Sequence, residues 1–295
     1  MKFRHAFLCF SMFISAMGAG LFAADEIHIS YTQMRPNLFM LEGAGGNMVL
    51  CRGEDGLFLV DDQVSAVSEK VKKAIKAIEP GPLRFILNTH WHHDHTGGNE
   101  YFRKGGTLTV AHRNVRKRMM KKNVVEALKR ELEASPEGAL PVITFSKEMT
   151  WHYNGEEIQI YHVPNAHTDG DSIVFFKTSN VVHMGDVFFN GLYPLIDYSS
   201  GGTIKGMISA VKRVLKHVDS DTQIVPGHGP LGTKWDLVTY LQMLEHVRDK
   251  VSAMKKQGKK LSEIKAAKIT AEWDATWGTK WLTPDQFIEI AYRSI

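Results

Sequence analysis

Between Thr89 and Asn99 the chain reads Thr-His-Trp-His-His-Asp-His-Thr-Gly-Gly-Asn, which places four of its 14 histidines within six positions. Neighbouring imidazoles repel when protonated, and each ring needs hydrogen-bond partners, so such a run is costly unless a metal ion takes up the lone pairs. His90 and His92 are two residues apart on an extended segment, so their rings can face one side and share one ion. Asp94 and His95 follow a turn later, point elsewhere and suit a second ion beside the first. Three more residues of ligand type each follow a short apolar run. They are His167 in Asn-Ala-His-Thr-Asp-Gly-Asp, Asp186 in His-Met-Gly-Asp and His228 in Pro-Gly-His-Gly-Pro.

The elements that must position these groups are legible as periodicity. Runs rich in β-branched and aromatic residues recur at Leu57 to Val60, Phe85 to Leu87, Leu108 to Val110, Ile158 to Val163, Ile173 to Phe176, Val181 to Met184 and Ile224 to Val225. Most are bounded by Gly, Pro, Asn or Asp, as strands are. Val64, Val67, Val71, Ile75 and Ile78, and again Ile204, Met207, Val211, Val214 and Val218, recur at helical spacing. The alternation predicts a layered α/β architecture, with the candidate ligands just past strand ends, where such folds place their sites. From Lys234 onward the chain reads as helical, with Leu237, Tyr240, Leu241, Leu244 and Val247 on one stripe. Trp273, Trp277 and Trp281 recur every four residues and are read as fastening the last helix to the core, with a groove wall as the alternative. The basic stretch 112–138, which carries Arg113, Arg116, Lys117, Arg118, Lys129 and Arg130, is read as the solvated face of a helix; a lid or a patch for an acidic ligand is the alternative.

The His-x-His-x-Asp-His motif with its three spaced downstream ligands resembles the metallo-β-lactamase superfamily, over roughly Asn37 to Pro230. The resemblance implies an α/β fold, a four-layer αββα sandwich with a dinuclear site at one edge. Residues 25–232 would form this catalytic domain and 233–295 a C-terminal helical extension packed on it. It further implies that His90, His92 and His167 hold the first metal, that Asp94, His95 and His228 hold the second, and that Asp186 bridges them or leans to the second. His93 is the variable position of the motif and takes no ligand role. Nitrogen and carboxylate donors without sulfur favour two Zn2+, and iron or manganese accept the same set. In this chemistry a water between two zincs about 3.5–4 Å apart ionises near neutral pH and attacks a polarised carbonyl. Asp94, the catalytic candidate, would orient that water and pass its proton to the leaving group. Asp61 or Asp62, at the end of the run Leu57 to Val60, is the candidate to orient a ligating imidazole. Phe188, Phe189, Asn190 and Tyr193 are expected to wall the substrate, with Asn190 or Tyr193 reaching the carbonyl oxygen. His183 is expected to be a core or ligand-supporting residue.

Composition bounds the setting. With 36 Lys plus Arg against 32 Asp plus Glu, the net charge of +4 is too small to make nucleic acid the main partner, which leaves a small-molecule substrate. Residues 1–24 carry Lys2 and Arg4, an apolar run from Ala6 to Ile14 and then small residues, the layout of a secretory signal. The run falls short of the roughly 20 residues that span a bilayer, so no stable membrane anchor is expected after cleavage, and the protein is expected to be periplasmic or secreted. Cys9 lies in that segment, which leaves Cys51 and no intramolecular disulfide. Export favours β-lactams and signalling lactones over glutathione thioesters or precursor tRNA. Against a β-lactam, Asp186 stands where the one-cysteine β-lactamases have a zinc-binding Cys, and the next lysine is Lys205. Lactones, esters and thioesters are therefore the alternative substrates. A mononuclear iron dioxygenase for persulfides and a non-catalytic metal-binding protein share the fold; the complete second ligand set favours the hydrolase.

Overall fold

Side-chain alternation along the strands sorts the apolar residues into three layers of contact. The computed structural model describes residues 27–295, and the expected leader over residues 1–24 lies outside the described residues. Strands β1 (Ser30–Arg35), β2 (Leu38–Glu42), β3 (Met48–Cys51), β4 (Leu57–Val60), β5 (Leu83–Asn88) and β6 (Leu108–His112) lie side by side in chain order. A separate hairpin, β7 (Asn123–Val125) and β8 (Arg130–Leu132), intervenes before β9 (Ile143–Phe145) completes that sheet. The second sheet runs β10 (Glu148–Tyr153), β11 (Glu156–His162), β12 (Ser172–Phe176), β13 (Val181–His183) and β14 (Gln223–Val225). The pairs β4–β5, β5–β6 and β13–β14 are parallel.

On β4, Phe58 and Val60 face the other sheet, where they meet Ile158, Ile160, Val174, Phe176 and Val225. Leu57 and Leu59 face outward onto Val71 and Ile75 of helix α1 (Ser68–Ile78). The second sheet repeats the pattern: Ile173, Phe175, Val182 and Ile224 turn outward, into the cluster that also holds Met207 and Val211. Short helices α2 (His93–Thr96), α3 (Asn99–Arg103) and α4 (Arg113–Met119) decorate the first half. Helix α5 (Ile204–Leu215) supplies Met207 and Val211. Helices α6 (Lys234–Lys256), α7 (Leu261–Ala266), α8 (Ala271–Trp277) and α9 (Pro284–Arg293) extend the outer cluster with Leu237, Tyr240, Ile264 and Phe287. The result is an αββα sandwich. Each fully buried aromatic or aliphatic side chain stabilises it by roughly 1.5–3 kcal/mol, so the fold does not depend on a metal for its core. Among the described residues no helix is long and apolar enough to cross a membrane.

Two helices start where the sequence places caps. Thr233 and Asp236 form a capping box before α6, and Thr283 with Gln286 does the same before α9, where Pro284 fits the first turn. The basic stretch departs from expectation, because only Arg113–Met119 is helical. The Asn123 side chain donates to the carbonyls of Arg118 and Lys121 and ends the helix, and Val124 and Val125 then enter β7. Of the tryptophans, Trp277 packs against Tyr193 and Tyr240 in the core, as a fastening residue does. Trp281 instead reaches the site described next.

Candidate metal centre

Strands β4, β5, β13 and β14 end at one edge of the sandwich, and the chain that follows each carries a ligand or its support. After β5, the Thr89 N–H and hydroxyl donate to the two oxygens of Asp61, each at 2.7 Å, which ties the exit of β5 to the exit of β4. With its own proton given to Asp61, the Thr89 oxygen accepts from His90 Nδ1 at 3.1 Å and leaves His90 Nε2 facing inward. His95 Nδ1 donates to Asp61 Oδ2 at 2.8 Å, His92 Nε2 to Asp197 Oδ2 at 3.0 Å, and His167 Nδ1 to the Leu195 carbonyl at 2.8 Å. Each such bond orients its ring and turns the other ring nitrogen toward the centre.

The inward ring nitrogens converge. His92 Nδ1 lies 3.0 Å from His167 Nε2, and His95 Nε2 lies 3.3 Å from His228 Nε2. Asp186 stands between the two groups. Its Oδ2 is 3.7 Å from His90 Nε2 and 3.6 Å from His167 Nε2, and its Oδ1 is 3.0 Å from His95 Nε2 and 3.5 Å from His228 Nε2. Asp94 Oδ2 closes the second group at 3.2 Å from His228 Nε2. Thus His90, His92, His167 and Asp186 form one ligand set, with donor atoms within 4.8 Å of one another, and Asp94, His95 and His228 form another. His90 Nε2 is buried without a hydrogen-bond partner among the described residues. A buried ring nitrogen without a partner and crowded imidazoles are costly, and a divalent cation in each set removes both costs, so the residues fit metal. Two glycines make the approach possible: a Cβ on Gly46 would collide with the His95 ring, and one on Gly227 with Asp186 Oδ1.

Electrostatics separates the two sets. Burial and the His95 charge push His90 well below the usual histidine range, and burial takes His167 down to about 4. Burial has the same sense at His95 and His228, but Asp186 and Asp94 overcome it, holding His95 well above its ordinary value and His228 up at about 9. Against burial, the His95 charge holds Asp94 and Asp186 well below the carboxylate range. In the metal-free protein at pH 7, His95 and His228 therefore carry protons that a metal must displace. Zinc binding is expected to release protons at pH 7, and apparent affinity to rise with pH toward about 9, where His228 gives up its proton. Calorimetry in two buffers of different ionisation enthalpy measures that release, and zero net release at pH 7 would contradict it.

All seven ligand candidates are brought together. Of the two aspartates at the end of β4, Asp61 orients His95, whereas Asp62 accepts from the Gly98 N–H at 2.9 Å and holds the turn after the histidines. His183 is buried, accepts from the Gly185 N–H and lies 3.0 Å from the Asn47 carbonyl, so it steadies the turn that presents Asp186. The expected substrate wall is corrected. Phe188 is buried against Tyr240, and Tyr193 stacks on Phe287 with its hydroxyl donated to Asp274 at 2.7 Å, so both belong to the core beneath the C-terminal helices. Asn190 donates to the Pro230 carbonyl, and Phe189 stacks on the back of the His228 ring. The cavity over the metal ligands, about 150 Å³, is instead walled by Val125, Leu128, Arg130 and Leu132 of the hairpin, by Leu195 and by Trp281; His93 also lines it. Trp281 sets its edge against His228, with ring centres 5.3 Å apart.

No sequence motif marks Asp197, the acceptor that holds the His92 ring. Asp197→Ala is expected to weaken metal binding about 10- to 100-fold by freeing that ring, and Asp197→Asn, which keeps an acceptor oxygen, to recover part of the loss. Metal dissociation constants for the two variants check this; equal, wild-type affinities would contradict it.

The model of the metallo-β-lactamase superfamily matches residues 41–236, about two thirds of the chain and every candidate ligand named above. The chain belongs to this superfamily. A hydroxyacylglutathione hydrolase of Pelagibacter ubique is 24% identical over 190 residues, 61% of this chain and 69% of that protein. A type 2 metallo-β-lactamase of Bacteroides fragilis is 23% identical over 170 residues, 57% of this chain and 59% of that one. Among solved structures, a metallo-β-lactamase from Pontibacter korlensis superposes with a TM-score of 0.61 at 18% identity, covering 74% of this chain and 99% of its own. As a member of the metallo-β-lactamase superfamily with an intact ligand cluster, the protein is a metal-dependent hydrolase.

Proposed function

We propose that the protein is an exported dinuclear zinc hydrolase that opens a small cyclic amide or ester, with β-lactams the first class to test. The observation that carries this is the pair of ligand sets meeting at Asp186 beneath an apolar-walled cavity. The Bacteroides relative is named for its action on β-lactams, and the signal layout of residues 1–24 supports export to where such compounds are met.

Two bound zinc ions supply Lewis acidity toward the scissile carbonyl and lower the pKa of water toward neutrality. The chain's own residues do the rest. Asp94 is 17% exposed; its Oδ2 faces His228, and its Oδ1 lies toward His93 on the cavity wall. It is placed to relay a proton through that oxygen to the leaving nitrogen or oxygen, and its low affinity for the proton favours delivery. Trp281, Leu195 and Val125 exclude bulk water from above the ligands.

A second substrate class, lactones, esters or thioesters, is favoured by two observations. Asp186 rather than a cysteine joins the ligand sets, and the cavity of about 150 Å³ is small beside the roughly 300–1,000 Å³ of sites for drug-sized ligands. Hydrolysis of a chromogenic cephalosporin by the zinc-loaded protein, with and without chelator, decides between them. Chelator-sensitive turnover supports the β-lactam. Silence, with turnover of a γ-lactone or aryl ester, overturns it in favour of the second class.

A further inference from the structure

The hairpin β7–β8 presents its charges unequally. Lys122 pairs with Glu131 and Glu133, at 2.6 and 3.1 Å. Glu126 and Lys129 border a different groove, shared with Tyr198 and Arg293. Strand alternation then turns Arg130 and Leu132 toward the metal cavity, whose lining includes both. Among the described residues no group forms an ion pair or hydrogen bond with the Arg130 guanidinium. The acids that share its cavity are Asp94 and Asp186, and both belong to the ligand sets. With two divalent cations present these carboxylates are more than neutralised, and the cavity is left electropositive with one uncommitted guanidinium. Arg130 is itself exposed, and Val125, Leu128 and Leu132 line the same cavity with apolar surface; Leu128 at the hairpin tip is 39% exposed. A planar guanidinium beside an apolar wall matches a carboxylate bidentately and discriminates against cations.

We propose that Arg130 anchors an anionic oxygen group on the substrate, so that the molecules cleaved are small amphiphilic anions. In that pose the apolar body lies along Val125, Leu128 and Leu132, and the scissile bond sits over Asp94 and the metal ligands. The inference rests on the hydrolase function proposed above, and it sets a substrate feature common to the β-lactam and ester classes.

The test pairs two near-isosteric esters, p-nitrophenyl valerate and the monoanion of p-nitrophenyl glutarate, on zinc-loaded wild type, Arg130→Ala and Arg130→Glu. Wild type is expected to prefer the anion by about 10- to 100-fold in kcat/KM, mostly through KM, which is the worth of one charged hydrogen-bonded pair. The preference collapses toward unity in Arg130→Ala and inverts in Arg130→Glu. Binding of 4-phenylbutyrate, followed by calorimetry, reads the same contact without turnover and is expected to be lost in Arg130→Glu. Equal preference in wild type and both variants, with the esters cleaved, overturns the anchor and leaves the hydrolase standing. Arg130-dependent binding of 4-phenylbutyrate with neither ester cleaved keeps the anchor and tells against the hydrolase. If phenylbutyrate binds all three proteins alike, the anchor is refuted whatever the esters show.

Discussion

His90→Ala is expected to lower turnover of any substrate by more than about a hundredfold, beyond what loss of a mere ligand support costs, while leaving the fold intact. Its inward nitrogen is one of the buried atoms without a partner, so the ring contributes a metal donor and little else. Its ring lies against those of His92, His95 and His167. Removing it takes away one of several opposed imidazoles and opens a polar space that water can fill. The metal-free variant should therefore melt within about 4 °C of the metal-free wild type, a shift worth roughly 1 kcal/mol in a domain of this size. Circular dichroism with metal analysis measures both halves: a collapsed spectrum shows that the ring does hold the fold together, and full activity with one metal missing refutes the site. Asp94→Asn is expected to match it in activity, since the amide can neither take up nor deliver the proton.

Asp61→Ala should do the reverse and cost stability first. The carboxylate is fully buried and accepts from the Thr89 N–H, the Thr89 hydroxyl and His95 Nδ1, so it joins β4, β5 and the second ligand set in one knot. Its backbone is left-handed, with φ of 59°, a conformation aspartate tolerates better than alanine. Leaving buried donors unpaired and breaking this network is expected to cost about 3–5 kcal/mol. That predicts a melting midpoint lower by roughly 6–20 °C and metal affinity weaker as the His95 ring loses its fixed tautomer. Thermal denaturation with and without zinc tests it, and an unchanged midpoint in the metal-free protein would show that the knot is not what holds the edge together.

What the sequence discloses and what it hides divide along physical lines. The ligands are legible because four histidines within six residues are costly anywhere but around a metal, and because His167, Asp186 and His228 each follow an apolar run. Strands β4, β5 and β11 to β14 are legible as β-branched or aromatic runs. Strands β1 to β3 and β10 carry no such signature: β10 reads Glu-Met-Thr-Trp-His-Tyr with alternate residues exposed, and β2 and β3 draw on Leu, Met and Phe, which helices accept as readily. The hairpin is hidden by its basic composition, which reads as a solvated helix until Asn123 ends it. The substrate wall escapes sequence reading for a different reason. Residues 188–193 follow Asp186 in sequence, but the chain there dives under the C-terminal helices, and the cavity is closed by residues from positions 125–132 and by Trp281. Asp197 and Arg130 act through tertiary neighbours, and no local pattern announces them.

The central claim is that two adjoining ligand sets each hold a metal and together perform hydrolysis. Stepwise addition of zinc to the chelator-treated protein, with binding followed calorimetrically and ester or lactam hydrolysis assayed at each step, tests it most directly. Two equivalents are expected to bind, with turnover completed only by the second. Saturation at one equivalent, or a preparation that retains a single iron and consumes oxygen in the presence of a persulfide, would contradict it.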